Sequence, residues 1–203
     1  AGTAGNVIVR AGLGGAGAVT GTVQFSRPQF ETGVRRTSWI ATTTGTVTRA
    51  ADVLSCPLAN IPGFSASGYT LFVDARRDVV TGVVGFAIEV GDGTAANRSF
   101  IISNAVNGLN SQTVVSSVPQ TNTAGGTYTT GRFKAAYSAQ ANSFKSADNG
   151  IARTEDVAGT MPTITTFGIG CRSAGSEQFN GYIYRVRLIP TALNQAQTTG
   201  LTA

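Results

Sequence analysis

The chain has 203 residues, 41% of them hydrophobic, only 12% charged, and 26 of them glycine; so little charge excludes a disordered chain, which needs high charge and few apolar residues. Net charge is +5, with arginines scattered rather than clustered. A nucleic-acid groove would need basic residues interleaved with exposed aromatics on one face, and no such stripe is legible, so no nucleic-acid partner is expected. Histidine is absent, which excludes Ser-His-Asp and Cys-His nucleophiles and His-based metal sites.

The sequence opens mid-pattern on "AGTAGNVIVR" and reads as a piece of something longer. It has neither 18 uninterrupted apolar residues nor a basic segment leading into an apolar one, so no membrane insertion and no signal peptide are expected. Residues 1–46 form a first unit. "NVIVRAG" is a short strand, "LGGAGAVTG" is turn-like, and "TVQFSRPQFE" alternates until Pro28, which suits a bulge or an edge. This predicts a β-hairpin with a trailing linker, and an isolated hairpin is marginal in water.

Over 47–203 the alternation is steadier. Strands are predicted at 51–58, 69–75, 83–90, 98–104, 113–118, 132–138, 143–147, 151–155, 163–170 and 181–189, separated by turns such as "PGFSASG", "GDGTAAN" and "SAGSEQ". Asn149-Gly150 marks a type I′ hairpin, whose two central residues need φ > 0. Period-two alternation places Val84, Phe86, Ile88 and Val90 on one side of their strand, and Phe133, Ala135 and Tyr137 on one side of theirs. Strict alternation in "GYIYRVRLIP" buries Tyr182, Tyr184, Val186 and Leu188. Cys56 shares a face with Leu54 and Leu58, and Cys171 with Phe167 and Ile169; free thiols on apolar faces are the favoured reading. "PTALNQAQTTGL" suits a helix of about two turns, started at Pro190-Thr191 and stopped at Gly200. About ten antiparallel strands with no earlier helix predict an all-β sandwich or barrel.

Four blocks, in order, carry a family resemblance: "TSWIATTTGTVTRAADV", "GDGTAANRSFII", "GRFKAAYSAQANSFKSADNG" and "TTFGIGCRSAGSEQFNGYIYRVRLIPTALNQAQ". Together they resemble the concanavalin A-like lectin/glucanase superfamily, in the laminin-G-like form found in bacteriophage tail fibre and tailspike proteins. The match spans about 35–201. "TVQFSRPQFETG" resembles the last strand of a β-module that often precedes this linker, which makes 1–34 the tail of such a module. The resemblance implies a jelly roll of two antiparallel sheets, concanavalin A-like, with a short C-terminal helix. It also implies a bulge that turns Ile183 inward with Val186 and Leu188, against the strict alternation, and the choice between the two stays open.

The same resemblance implies a non-catalytic receptor-binding module in a virion fibre, folded in the host cytoplasm. Its partners would be host-surface glycan and the other subunits of a homotrimer. A purely structural, trimerising or decorating domain without its own ligand is the alternative. Glucanases of the superfamily carry a tight Glu-x-Asp-x-Glu strand motif, and no such motif occurs here, so no catalytic residue is assigned. Glu89 and Asp92 lie close in sequence and read as solvated hairpin residues. No metal ligand set is assigned and no cofactor is expected, although relatives sometimes bind calcium at a loop rim, where Asp52 and Asp92 could contribute oxygens.

Seven residues are candidate ligand contacts. Trp39, at a position usually aromatic in the family, is either a staple between the N-terminal element and the jelly roll or a stacking platform for a sugar. Asn97 and Arg98 either offer a hydrogen-bonding fork to a sugar or serve the loop, with Asp92-Gly93 making the turn and Asn97 tying down its backbone; the second reading is preferred. Arg172, Glu177, Gln178 and Asn180 sit on a polar inter-strand loop, where binding residues collect.

Overall fold

The structure, a computed structural model, describes residues 53–77, 84–104, 108–126, 131–172 and 177–203. The predicted hairpin and linker, Asp52 and Trp39 lie outside them. The described strands are β1 (Leu54–Pro57), β2 (Gly68–Arg77), β3 (Gly85–Gly91), β4 (Arg98–Asn104), β5 (Gly108–Val115), β6 (Val118–Ala124), β7 (Gly131–Gln140), β8 (Ser143–Asp148), β9 (Ile151–Ala152), β10 (Thr166–Ile169) and β11 (Gly181–Ile189). One helix, α1 (Gln195–Thr202), ends the chain. The strands make two antiparallel sheets: sheet A in the order β1-β10-β3-β4-β5-β6, and sheet B in the order β11-β2-β7-β8-β9. Packed face to face, they form a sandwich of the jelly-roll type, as predicted.

The core lies between the sheets. Tyr69, Leu71, Val73 and Ala75 of β2 and Phe133, Ala135 and Tyr137 of β7 face Ile88, Val90, Ile101, Leu109 and Phe167 of sheet A. Beyond Leu109 the inner positions of β5 and β6 are hydroxyls instead. Tyr69 donates to Ser99 Oγ at 2.7 Å, Ser99 and Thr113 share a hydrogen bond of 2.7 Å, and the Tyr137 hydroxyl lies 2.8 Å from Thr113 and 2.9 Å from Thr121. Two tyrosines of sheet B thus reach across the sandwich into a ladder of hydroxyls on sheet A. Each buried polar atom finds a partner there, which is the condition for placing it inside.

Two bulges correct the expected faces. The β3–β4 register shifts between Phe86 and Ile88. Ala87, Ile88 and Val90 therefore face the core, while Phe86 and Val84 join Phe100, Ile102 and Val114 in a second apolar cluster on the outer face of sheet A. The β11–β2 register shifts between Ile183 and Arg185. Ile183, Val186 and Leu188 pack inward, whereas Tyr182 and Tyr184 are each 52% exposed. Strict alternation fails there because a bulge inserts one residue and reverses the parity beyond it.

Other boundaries move for local reasons. The single strand expected at 113–118 is two strands meeting at Ser116-Ser117, both at positive φ (50° and 67°). β1 gives way to one 3-10 turn at Leu58–Asn60; Leu58 is buried, Cys56 half-buried and Leu54 exposed, so that face is covered only at its far end. The strand expected at 151–155 is two residues long, followed by a bridge from Asp156 to Phe144. Asn149 and Gly150 take φ of 45° and 76°, as a type I′ turn demands. Cys56 and Cys171 are free thiols, and Cys171 is buried.

The helix begins later than expected and runs through Gly200. Its start is set by Asn194, whose side chain accepts from Gln197 N at 2.9 Å while Gln197 Oε1 accepts from Asn194 N at 3.0 Å. That reciprocal pair is a capping box. Thr198 and Thr202 are buried against sheet B, and Thr202 Oγ1 accepts from Gly150 N at 3.0 Å. Asn194→Ala is expected to lower folding stability by about 1 kcal/mol. Urea unfolding would read this as a lower midpoint at unchanged slope.

Candidate functional site

The bulge in β3 also builds a charged site on the outer face of sheet A. Phe86 and Glu89 are three residues apart, so a regular strand would put them on opposite faces. With the bulge between them both face outward, Glu89 pairing with Phe100 of β4. Phe86 and Phe100 make the floor, with ring centres 5.0 Å apart and each ring only 2% exposed. The Arg98 guanidinium lies over both rings, 4.8 Å from the centre of Phe100 and 5.3 Å from that of Phe86. Gly91, opposite Arg98, leaves room for it: a Cβ there would stand 3.3 Å from Arg98 Cβ. Arg98 Nη1 is 3.5 Å from Glu89 Oε2, and Glu89 is 0% exposed. The expectation that Glu89 is solvated is therefore corrected.

The loop after Cys171 adds a second pair. Arg172 Nη1 is 3.4 Å from Glu177 Oε2. The loop is anchored on β3, where Phe86 N donates to Glu177 O at 3.1 Å, and Glu177 takes a left-handed φ of 53°. The two pairs feel each other. Burial pulls the Arg98 guanidinium below its ordinary range, Glu89 and Glu177 pull it back up, and Arg172 adds to the depression. Neither Arg98 Nε nor Arg172 Nε has a hydrogen-bond partner. Two guanidinium forks and two carboxylates thus converge on one patch. Such a set can donate in pairs to a carboxylate or to vicinal hydroxyls and can accept from hydroxyl protons. Arg98 and Glu89 are the inner, positioning members; Arg172 and Glu177, 20% and 37% exposed at the side chain, are the members a ligand can reach.

Of the residues singled out in the sequence, Arg98, Arg172 and Glu177 are brought together. Asn97 is not: its Nδ2 donates to Asp92 Oδ2 at 2.9 Å and its Oδ1 accepts from Ser116 N at 3.0 Å, which ties the 92–97 loop to the β5–β6 turn. Gln178 is half-buried and Asn180 exposed on the run into β11. Trp39 lies outside the described residues. Glu89 is the member that sequence reasoning missed. Asp92 does not present free oxygens to calcium: Oδ1 accepts from Thr94 N and Oγ1, at 2.8 and 2.6 Å. Burial raises the Asp92 carboxyl, but the Thr94 and Asn97 hydrogen bonds outweigh it and hold the carboxyl below its usual range. No group of three or more potential metal ligands occurs among the described residues.

A concavity of about 600 Å³ runs between β6 and the segment after β9, lined by Asn122, Arg153, Glu155 and Asp156 among others. Its charged groups are already engaged. Arg153 grips Asp148 with two hydrogen bonds, and Glu155 pairs with Lys145 at 2.8 Å.

No family model and no curated protein matches this sequence. Solved structures do match in shape. The carbohydrate-binding module CBM40 of the Ruminococcus gnavus IT-sialidase superposes with a TM-score of 0.57 at 12% identity, over 77% of this chain and 96% of that one. The same module bound to α2,3-sialyllactose gives 0.59 at 12% identity, over 76% and 97%. The NanB sialidase of Streptococcus pneumoniae gives 0.55 at 11% identity, and there the match spans 76% of this chain but 27% of the sialidase. At such identities the likeness establishes the β-sandwich fold.

Proposed function

We propose that this chain is a non-catalytic glycan-binding module whose sugar contacts lie on the outer face of sheet A, at Arg172 and Glu177 above the Arg98–Glu89 pair. The observation that carries this reading is the convergence of Arg98, Arg172 and Glu177, from separate parts of the sequence, on one part-exposed patch. Its paired guanidiniums suit a sugar acid, and its carboxylates suit neighbouring hydroxyls. The buried Phe floor offers no open ring face, so recognition is by hydrogen bonds rather than stacking. Support from shape comes from the CBM40 module solved with sialyllactose. The sequence resemblance supports a setting in a homotrimeric phage tail fibre or spike that contacts host-surface carbohydrate.

The test is calorimetric titration of the full chain with sialyllactose, alongside an array of acidic and neutral bacterial polysaccharides. Arg172→Ala is expected to weaken binding by about 10- to 100-fold, the range of a hydrogen bond to a charged group. Its melting temperature should stay close to that of the parent. Absence of binding to every glycan on the array, or unchanged affinity in Arg172→Ala, would overturn the reading.

A further inference from the structure

The outer face of sheet B carries a basic and aromatic strip that the linear sequence hid. Register places Tyr182, Arg185 and Arg187 of β11, Arg76, Asp74 and Phe72 of β2, and Arg132 and Lys134 of β7 on this one face. That is five cations and a single carboxylate. The carboxylate is engaged: Arg132 donates to Asp74 Oδ1 at 2.8 Å and to Oδ2 at 2.7 Å. The bulge in β11 turns Tyr184 outward into the strip, and the Arg132 guanidinium stands 4.7 Å from its ring centre. Tyr184 is therefore held by a cation that is itself held by a bidentate pair, a preorganised platform beside the exposed Arg185 and Arg187. The reading of a scattered positive charge is corrected here.

We propose that this strip is a second ligand surface, which takes an anionic polysaccharide chain. The strip is three strands wide, about 10 Å across, and α1 closes its β7–β8 side. That width admits one extended polymer chain. Two arginines two residues apart on β11 lie about 7 Å from each other along the strand, which suits the repeat of charged groups on successive sugars. Stretches of single-stranded nucleic acid are held by a series of ring faces, one per base. Tyr184 has one face against Arg132. A single open face beside cations fits the apolar side of one sugar ring flanked by its anions. The inference does not depend on the sheet A site, which lies on the opposite side of the sandwich.

The experiment measures binding of the full chain to immobilised dextran sulfate, neutral dextran and oligo(dT) at physiological salt, with sialyllactose titrated in parallel so that the two surfaces are read separately. Dextran sulfate is expected to bind and dextran not to bind. Arg185→Gln/Arg187→Gln is expected to weaken dextran sulfate binding about tenfold or more. Tyr184→Ser should weaken it about fivefold, and Tyr184→Phe less than twofold. Lys145 of β8 lies on the same face beyond the strip and is already paired with Glu155, so Lys145→Gln should change it less than twofold. The proposal is overturned by no binding to dextran sulfate, by equal loss in Lys145→Gln with none in Tyr184→Ser, or by tighter binding of oligo(dT) through the same residues.

Discussion

Raising the pH from 10 to 12 is expected to remove about 5 kcal/mol of folding stability, enough to unfold a domain of ordinary stability. The cause is the pair of tyrosines that cross the core. Burial pushes the Tyr69 hydroxyl far above its ordinary range, the Ser99 hydrogen bond lowers it in part, and Tyr137 raises it further. Tyr137 is raised in the same way, by burial first, against hydrogen bonds with Thr113 and Thr121. In the unfolded chain both hydroxyls lose their protons near pH 10. The folded state keeps them, so above that pH the unfolded state binds fewer protons, and stability falls by up to about 1.4 kcal/mol per pH unit for each tyrosine. Below pH 10 the contribution is fully present. Urea titrations at successive pH values measure the slope. Tyr69→Phe and Tyr137→Phe should each reduce it by about half. A flat profile to pH 12, or an unaltered slope in both variants, contradicts the network.

Glu89→Ala is expected to cost about 3–5 kcal/mol, because it leaves the Arg98 guanidinium part-buried without its carboxylate. The double variant Glu89→Ala/Arg98→Met should recover much of that loss, since removal of both charges leaves none uncompensated and Met can lie on Phe86 and Phe100. Urea unfolding of parent, single and double variants closes the cycle. Additive losses, with the double variant no more stable than Glu89→Ala, would mean that the two groups are not coupled. Sugar binding should be lost in both variants, whether or not stability returns.

The bounds of β4 and β11 were legible, since both begin and end where the sequence predicts, and alternation correctly turned Phe133, Ala135 and Tyr137 to the core. β5 and β6 were not legible as two strands, because beyond Leu109 their inner faces are Ser111, Thr113, Thr121 and Thr123. Residues that fill the core with hydroxyls leave no hydrophobic period to count. The bulges were equally silent, since an inserted residue has no composition of its own. They account for Tyr182, Tyr184 and Phe86, and through Phe86 for the patch around Glu89. Arg98, Arg172 and Glu177 could be picked out as polar residues at strand ends and loops. Their convergence could not, because it depends on which strands are neighbours. A carboxylate in the middle of a strand gives no sign in the sequence that an arginine from the next strand will seal it.

β10 lies between β1 and β3, although it is drawn from 166–169, more than seventy residues after β3 ends. A ribosome therefore delivers β1 and β3 long before the rung that joins them. Until β10 is made, both carry unpaired backbone flanks, the kind that seek strands on other chains. β2 waits longer still for β11 on one side. Until residues 166–189 have been made, the nascent chain therefore holds open strand edges, and its tendency to pair with other chains falls only once β10 and β11 are in place.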